Sequence, residues 1–179
     1  IQLDKYEEDE TISNDKYMKC VRDDRLIVKD SLGQKGYKNY IDLILKSGTD
    51  NERFIQELLQ NADDCEYSVD ATPAFSLYKE GTTIVAEYNE VGFTCGNVRA
   101  ITAIGESTKN KLLNGKKIEI GEKGIGFKTI FSVASEVKVF SNNFNFSLTD
   151  KEPTIPKTIK TASDKIQGTR MEISFKGNK

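Results

Sequence analysis

The sequence has no histidine and no tryptophan, and it has only three cysteines among its 179 residues. Without histidine, and with Cys20, Cys65 and Cys95 far apart along the chain, a cysteine–histidine zinc site is excluded and a disulfide framework is not expected. Reduced cysteines are typical of intracellular proteins, so we expect a cytoplasmic location.

An excess of one charge sign and a long apolar run are also missing. The 26 basic and 28 acidic residues leave a net charge of −2, which gives no basis for a surface that binds nucleic acid. No apolar run reaches the ~18 residues of a membrane span, so we expect no membrane contact. We further expect the chain to be a fragment of a larger multidomain protein.

The spacing of apolar residues predicts helices in the first part of the chain. Helical spacing occurs around Tyr17 and in "GYKNYIDLILKSG", and it is strongest in "TDNERFIQELLQNADD", where Thr49 and Glu52 have the spacing of a capping box. After Pro73 the period changes to two in "AFSLYKEGTTIVAEY", which predicts a hairpin that turns at Glu80-Gly81. Helical spacing then returns in "FTCGNVRAITAIG".

The last third of the sequence predicts a helix from Phe127 to Ala134, strands at "EVKVF", "FNFSL" and "TRMEISF", and a loop from Asp150 to Gln167. Hairpins that cluster with helices predict an α+β fold, a two-layer α/β sandwich with a mixed, mostly antiparallel sheet and helices on one face. We place an N-terminal helical extension at residues 1–48 and the main domain at residues 49–179.

Three polar side chains form a stripe on the strongest predicted helix. Glu57, Asn61 and Asp64 are spaced i, i+4 and i+7, beside the apolar stripe of the same helix. A solvated helix face is the more common explanation for a single glutamate. However, a carboxylate can deprotonate water, and an amide oxygen is a hard ligand suited to Mg²⁺. The stripe therefore predicts a general base and a metal ligand that face one cleft.

The stretch "IGEKGIGFKTIF" places Gly121, Gly124 and Gly126 directly before a helical apolar segment. Turns explain such glycines most simply, but backbone N–H groups at the start of a helix also form a phosphate cradle. The stretch lacks the Lys-Ser/Thr ending of a P-loop, and Gly-x-x-Gly-x-Gly reverses the Rossmann spacing. The Glu57 helix favours the cradle, because hydrolysis of a phosphoanhydride needs both parts.

The order of these segments resembles the Bergerat-fold (GHKL) ATPases, the superfamily of gyrase, heat-shock chaperones, histidine kinases and MutL. "ELLQNADD" is similar to their helix motif, "IGEKGIGFKTIFSVASEVKVF" to their lid motif and "GTRMEISF" to their last box. Within the superfamily the chain most resembles the sacsin N-terminal and NO VEIN-like ATPase modules, over roughly Asn51 to Leu148 with Gly168 to Phe175 added.

The resemblance implies the Bergerat ATP-binding fold, with ATP and Mg²⁺ as cofactors, Glu57 as the catalytic general base and Asn61 as the metal ligand. The residues that it implies for nucleotide binding are Asn61, Asp64, Asn89, Gly92, Ser107, Thr108, Lys109, Gly121, Gly124, Ile125, Gly126, Phe127, Lys128 and Thr169. The aromatic rings of Phe93 and Phe127 are expected mainly to pack in the core.

One box departs from the superfamily pattern. In most members, the Asp at the start of an Asp-x-Gly-x-Gly box recognises adenine, whereas this chain has "YNEVGF" at this place. Counting back from Gly92 gives Tyr88, but we favour Asn89, because its side-chain oxygen can accept a hydrogen bond from the exocyclic amine. Glu90 is the alternative reader, and a plain turn that contains Asn89 is a further explanation.

The resemblance implies a module that binds ATP and hydrolyses it slowly, and whose lid closure drives conformational change or dimerisation in a larger chaperone-like or defence-type protein. The expected partners are ATP or ADP, other domains of the same chain and a second copy upon ATP binding. An ATP-gated switch or scaffold without meaningful turnover is the alternative that the departure at Asn89 favours. A histidine-kinase catalytic domain is less favoured, because such kinases usually carry Asn at the position of Glu57.

Overall fold

The segments with period-two apolar spacing form antiparallel strands in the computed structural model, which describes residues 3, 12–47, 53–104, 112–113, 116–117, 123–160 and 166–177. The described strands are β1 (Phe75–Glu80), β2 (Thr83–Tyr88), β3 (Leu112–Leu113), β4 (Lys116–Lys117), β5 (Ala134–Ser141), β6 (Phe144–Thr149), β7 (Lys157–Thr158) and β8 (Thr169–Phe175). Strands β3 and β4 pair with each other, and the other six form one sheet in the order β1-β2-β8-β5-β6-β7.

Every pairing between the described strands is antiparallel. The hairpin predicted at Glu80-Gly81 is confirmed, because Glu80 pairs with Thr83 and Gly81 takes a φ of +60°, a value that glycine adopts without strain. The strands expected at "EVKVF", "FNFSL" and "TRMEISF" are β5, β6 and β8.

Four helices accompany these strands in the described part of the chain. They are α1 (Asn14–Ser47), α2 (Arg53–Asp63), α3 (Cys95–Thr102) and α4 (Lys123–Lys128), the last of which continues as a 3₁₀ helix (Thr129–Ser132). Helix α1 is broken at Gly33, which has φ 66° and ψ 171°, so the two predicted N-terminal helices follow one another across a kink. The helix predicted from Phe127 begins four residues earlier, at Lys123.

One face of the sheet packs against the helices and forms the core. The strands contribute the buried side chains Ala86, Val137, Val139, Phe144, Phe146, Leu148, Met171 and Ile173. The helices contribute Phe54, Leu58, Ala62, Val98, Ile101, Phe127, Ile130 and Phe131. Burial of a large apolar side chain stabilises a fold by roughly 1.5–3 kcal/mol. The α+β class and the two-layer sandwich are therefore confirmed.

Helix α1 packs on the same core. Its buried side chains there include Tyr17, Met18 and Val21. The Tyr17 hydroxyl donates to the carbonyl of Cys95 at 3.0 Å, and Arg22 donates to the carbonyl of Pro156 at 2.9 Å. The expected N-terminal extension thus shares its core with the elements that follow it. None of the described helices combines the length and the apolar character that crossing a bilayer requires.

Candidate functional site

Helix α2 turns an apolar face to the core and a polar stripe away from it. Its buried side chains are Phe54, Leu58 and Ala62, whereas Leu59, which also fits the apolar spacing of this helix, is 46% exposed. Along the predicted polar stripe, Glu57 and Asn61 are partly buried and Asp64 is exposed. The N-terminal part of the stripe is therefore partly covered by neighbouring elements, and its C-terminal residue faces solvent.

The carboxylate of Glu57 lies directly against Gly126 of α4. An ideal Cβ built on Gly126 would overlap Glu57 Oε2 and would lie 2.8 Å from the carboxyl carbon. Only a residue without a side chain leaves room for the Glu57 carboxylate in this position. On its other side Glu57 faces Arg53, whose Nε lies 3.6 Å from Oε1. The structure thus brings the predicted general base to the third glycine of "IGEKGIGF".

The other predicted phosphate-binding residues are described less fully or not at all. Those outside the described residues are Ser107, Thr108, Lys109 and Gly121. The backbones of Gly124 and Ile125 belong to α4. The roles proposed for all six from the sequence stay predictions.

The two residues that follow Gly126 are buried in the core. Phe127 is 3% exposed and packs edge-on against Phe131, with ring centroids 6.3 Å apart. Lys128 is fully buried. A phosphate could reach the Lys128 ammonium group only after the surrounding side chains move.

A second polar cluster lies where the loop after β2 meets the start of β8. Glu90 is 6% exposed, and its Oε2 accepts a hydrogen bond from the Gly92 N–H at 2.5 Å. Its Oε1 accepts a hydrogen bond from the Thr169 hydroxyl. A carboxylate is stable in so buried a place only where donors satisfy its oxygens. The structure therefore joins two of the predicted boxes that lie far apart in the sequence.

The end of β5 supports this cluster. Ser141 is 1% exposed, its Oγ contacts Thr169 Oγ1, and it accepts a hydrogen bond from the Phe93 N–H at 2.7 Å. The Asn142 amide donates to the carbonyls of Val91 and Phe93 at 3.3 and 3.0 Å. Sequence reasoning named neither residue as a site residue, although both lie in the polar turn between two predicted strands and within the span of the sequence resemblance.

Two glycines allow the loop after β2 to close on its neighbours. Gly92 has φ +88°, and a side chain there would overlap Asn142. Gly168 has φ +84°, and an added Cβ would overlap the carbonyl oxygen of Tyr88 and lie 3.1 Å from Asn89 Cα. Both positive φ values favour glycine.

Asn89, which we favoured from the sequence as the adenine reader, faces the start of β1. Its Oδ1 accepts from the Ala74 N–H at 2.7 Å, and its Nδ2 donates to the Thr72 carbonyl at 2.8 Å. Both ends of the exposed amide are thus engaged by backbone groups. Tyr88 is a buried core residue of β2. Among the polar groups of "YNEVGF", the Glu90 carboxylate is the one that lies beside Thr169.

The C-terminal end of α2 lies near the Glu90 loop. The Val91 N–H donates to the carbonyl of Glu66 at 2.9 Å, and the Tyr67 hydroxyl donates to the carbonyl of Ala62 at 2.8 Å. The seven residues from Glu57 to Asp63 span about 9 Å of helix. Helix α2 therefore links the Glu57–Gly126 contact to the buried cluster around Glu90.

The Tyr88 hydroxyl is buried beside this loop and has no hydrogen-bond partner among the described residues. Burial raises the pKa of the Tyr88 phenol well above its usual range, and the nearby Cys65, Tyr67 and Glu90 raise it further. The phenol therefore stays neutral at physiological pH.

Two of the cavities in the described part of the structure lie away from Glu57 and Asn61, which line neither of them. One, of about 380 Å³, borders the loop after β2, and the residues that line it include Phe93, Thr94, Asn142 and Asn143. The other, of about 500 Å³, lies at the Gly33 kink of α1. Its lining includes Lys29, Tyr37 and Lys151.

Comparison with known proteins adds one relationship. The chain is 35% identical to Protein NO VEIN from Arabidopsis thaliana over 136 residues, which are 71% of this chain but 5% of the length of that protein. No family model matches the chain. The identity extends over most of the chain, so this protein is related to one small part of Protein NO VEIN.

Proposed function

We propose that this chain is a Bergerat-type module that binds ATP with Mg²⁺ and hydrolyses it slowly. The observation that supports the proposal is the arrangement along α2, where Glu57 contacts Gly126 and the end of the helix meets the loop that carries Glu90. Segments that are far apart in the sequence thus supply one polar cluster on α2 and another beside the residues that follow it. A nucleotide bound along α2 would place its base at one cluster and its phosphates at the other.

Glu90 suits the base end of this arrangement. Each of its oxygens already has one donor from the chain, Gly92 or Thr169, and each has a further lone pair. A carboxylate only accepts hydrogen bonds, so it favours the exocyclic amine of adenine over a carbonyl oxygen at the same position. We therefore propose Glu90 as the residue that reads the base, in the role that the sequence suggested for Asn89.

Glu57 and its neighbours suit the phosphate end. The backbone N–H group of Gly124, in the first turn of α4, would hold a phosphate oxygen, and the amide oxygen of Asn61, one turn after Glu57, would hold Mg²⁺. ATP supplies the phosphoanhydride bond, and Mg²⁺ supplies positive charge at its oxygens. Glu57 orients a water molecule and accepts its proton, while Arg53 keeps the Glu57 carboxylate in place.

Calorimetric titration of the 179-residue chain with ATP and Mg²⁺ tests binding. We expect measurable heat for the wild type and for Glu57→Ala, and a large loss of affinity for Glu90→Ala. Glu136→Ala is a matched control, because Glu136 lies at the opposite end of β5 from Ser141. The absence of binding at millimolar ATP would overturn the proposal.

Phosphate release tests the role of Glu57 separately. A general base contributes roughly 10²–10⁴-fold to a rate, so Glu57→Ala and Glu57→Gln should bring turnover close to background while ATP binding persists. Turnover that survives both substitutions would disprove the assignment. Wild-type binding without any turnover would instead support an ATP-gated switch, in which the nucleotide state is passed to other domains or to a second copy.

A further inference from the structure

The hydroxyl of Ser141 is a junction between the loop after β2 and the start of β8. It accepts a hydrogen bond from the Phe93 N–H at 2.7 Å, contacts Thr169 Oγ1 and lies 3.3 Å from the carbonyl oxygen of Gly168. The side chain is 1% exposed. A serine hydroxyl has one proton to donate, so these contacts determine where that proton points.

The direction of each hydrogen bond follows from the chemistry of Glu90. The carboxylate can only accept, so the single hydroxyl proton of Thr169 goes to Glu90 Oε1. In the contact between Ser141 and Thr169, Ser141 is therefore the donor, and its proton is shared with the more distant Gly168 carbonyl. The donors run in one direction, from Phe93 through Ser141 and Thr169 to Glu90. Hydrogen bonds aligned in this way strengthen one another.

The series also closes the loop after β2 on itself. The Gly92 N–H donates directly to Glu90 Oε2, and the next N–H, that of Phe93, reaches Glu90 Oε1 through Ser141 and Thr169. The loop that carries Glu90 thus holds one oxygen of the carboxylate directly and the other indirectly, through Ser141 and Thr169. Without a hydroxyl at position 141, the Phe93 N–H and Thr169 would each lose a partner.

We propose that Ser141 is a positioning residue for base selection, which fixes the Glu90 carboxylate through Thr169 and the loop after β2 without touching the nucleotide. The inference rests on the proposed function, because Glu90 must be the residue that reads the base. A purely structural serine would affect the stability of the loop and weaken all nucleotides equally. Ser141 should instead affect the preference for a base that carries an amine.

The test compares ATP with inosine triphosphate, in which a carbonyl oxygen replaces the amine of the base. Dissociation constants for both nucleotides are measured by calorimetry with Mg²⁺, for the wild type, Ser141→Ala, Ser141→Thr and the control Ser147→Ala. Ser147 is another buried strand serine, 3% exposed, on β6. Urea unfolding of each variant reports on the fold.

We expect Ser141→Ala to weaken ATP binding about tenfold, the effect of one lost buried hydrogen bond. Binding of inosine triphosphate should change less than about twofold, so the selectivity for ATP falls nearly as much as its affinity. Ser141→Thr restores the hydroxyl and should restore selectivity, and Ser147→Ala should alter neither constant. If Ser141→Ala does not fold, Ser141→Cys, with its weaker donor, should show an intermediate loss.

The outcomes separate this inference from the proposed function. A Ser141→Ala or Ser141→Cys variant that binds ATP with wild-type selectivity overturns the positioning role and leaves the ATP-binding proposal intact. Equal weakening of both nucleotides also overturns it, because a purely structural serine predicts that result. If the wild type binds neither nucleotide, the proposed function fails and this inference fails with it.

Discussion

Replacing Gly126 by alanine tests the contact between α2 and α4 at the proposed catalytic site. The added methyl group would overlap the Glu57 carboxylate. The overlapping atoms are the end of a flexible side chain and not backbone, so the Glu57 side chain can rotate away. We therefore expect Gly126→Ala to displace the carboxylate and to leave the protein folded.

The expected change in stability is small because two effects oppose each other. A strained side-chain rotamer for Glu57 costs about 0.5–1.5 kcal/mol, and the loss of its ion pair with Arg53, which is 53% exposed, costs about 0.5 kcal/mol or less. Alanine in place of glycine inside a helix contributes up to about 1 kcal/mol. The free energy of unfolding should therefore stay within about 1 kcal/mol of the wild type.

Urea unfolding and phosphate release measure the two consequences. In the wild-type background Gly126→Ala should be nearly neutral for stability and should reduce hydrolysis about as far as Glu57→Ala. In the Glu57→Ala background, where the carboxylate is absent, adding Gly126→Ala should stabilise the protein by up to about 1 kcal/mol and should reduce hydrolysis no further. Gly96→Ala in α3 is the control, because its Cβ would lie 3.6 Å from the nearest atom, Thr94 Oγ1.

Three results would refute this reasoning. The same stability change for Gly126→Ala with and without Glu57 would show that the two residues do not interact. A loss of more than about 3 kcal/mol, well beyond the strain of one rotamer, would show that Glu57 cannot move away. Wild-type hydrolysis by Gly126→Ala would show that the position of the carboxylate does not matter to turnover.

Three further substitutions test other parts of the structure by urea unfolding. Gly168→Ala should destabilise the fold by more than about 3 kcal/mol, because the φ of +84° disfavours alanine and the added methyl group would overlap the backbone of Tyr88. Gly81→Ala is the control, because Gly81 also has a positive φ, +60°, but faces open space, and it should cost only about 1–2 kcal/mol. Tyr88→Phe should stabilise the protein by about 1 kcal/mol at pH 7, since it removes an unpaired buried hydroxyl. Because burial raises the pKa of Tyr88, the unfolded chain loses above pH ~10 a proton that the folded chain keeps, so the free energy of unfolding falls as the pH rises. This fall should be smaller in Tyr88→Phe. An equal fall in the variant and the wild type would contradict the role given to Tyr88. Thr94→Ala removes the hydroxyl that accepts from the Asn97 N–H at the start of α3, but keeps the bond from the Thr94 N–H to Asn97 Oδ1. It should cost about 1 kcal/mol, while Thr94→Ser should retain most of that stability.

Most of the sheet could be predicted from the sequence because its strands alternate buried and outward-facing side chains. In β5 the buried Val137 and Val139 alternate with partly exposed neighbours, and the same period marks β8. The helix pattern was less exact. Leu59 fits the apolar period of α2 but lies 46% exposed, because burial depends on which neighbouring elements cover each side of the helix.

The choice between Asn89 and Glu90 could not be made from the sequence. Adjacent residues at the end of a strand point in different directions, and partners that are distant along the chain decide which one is buried. Ser141 and Thr169 hold the loop so that Glu90 faces inward, while Thr72 and Ala74 engage Asn89 on the outside. By contrast, the approach of Glu57 to Gly126 agrees with the pairing of motifs that the sequence suggested.

The packing of α1 has a consequence for how the protein can be divided. The sequence resemblance begins near Asn51, yet Tyr17, Met18 and Val21 fill the same core as Phe54. A chain that started at the resemblance would leave that part of the core open to water. The segment that carries the sequence resemblance is therefore shorter than the segment that shares the core, and experiments on the proposed nucleotide site need α1 even though the helix contributes none of the proposed site residues.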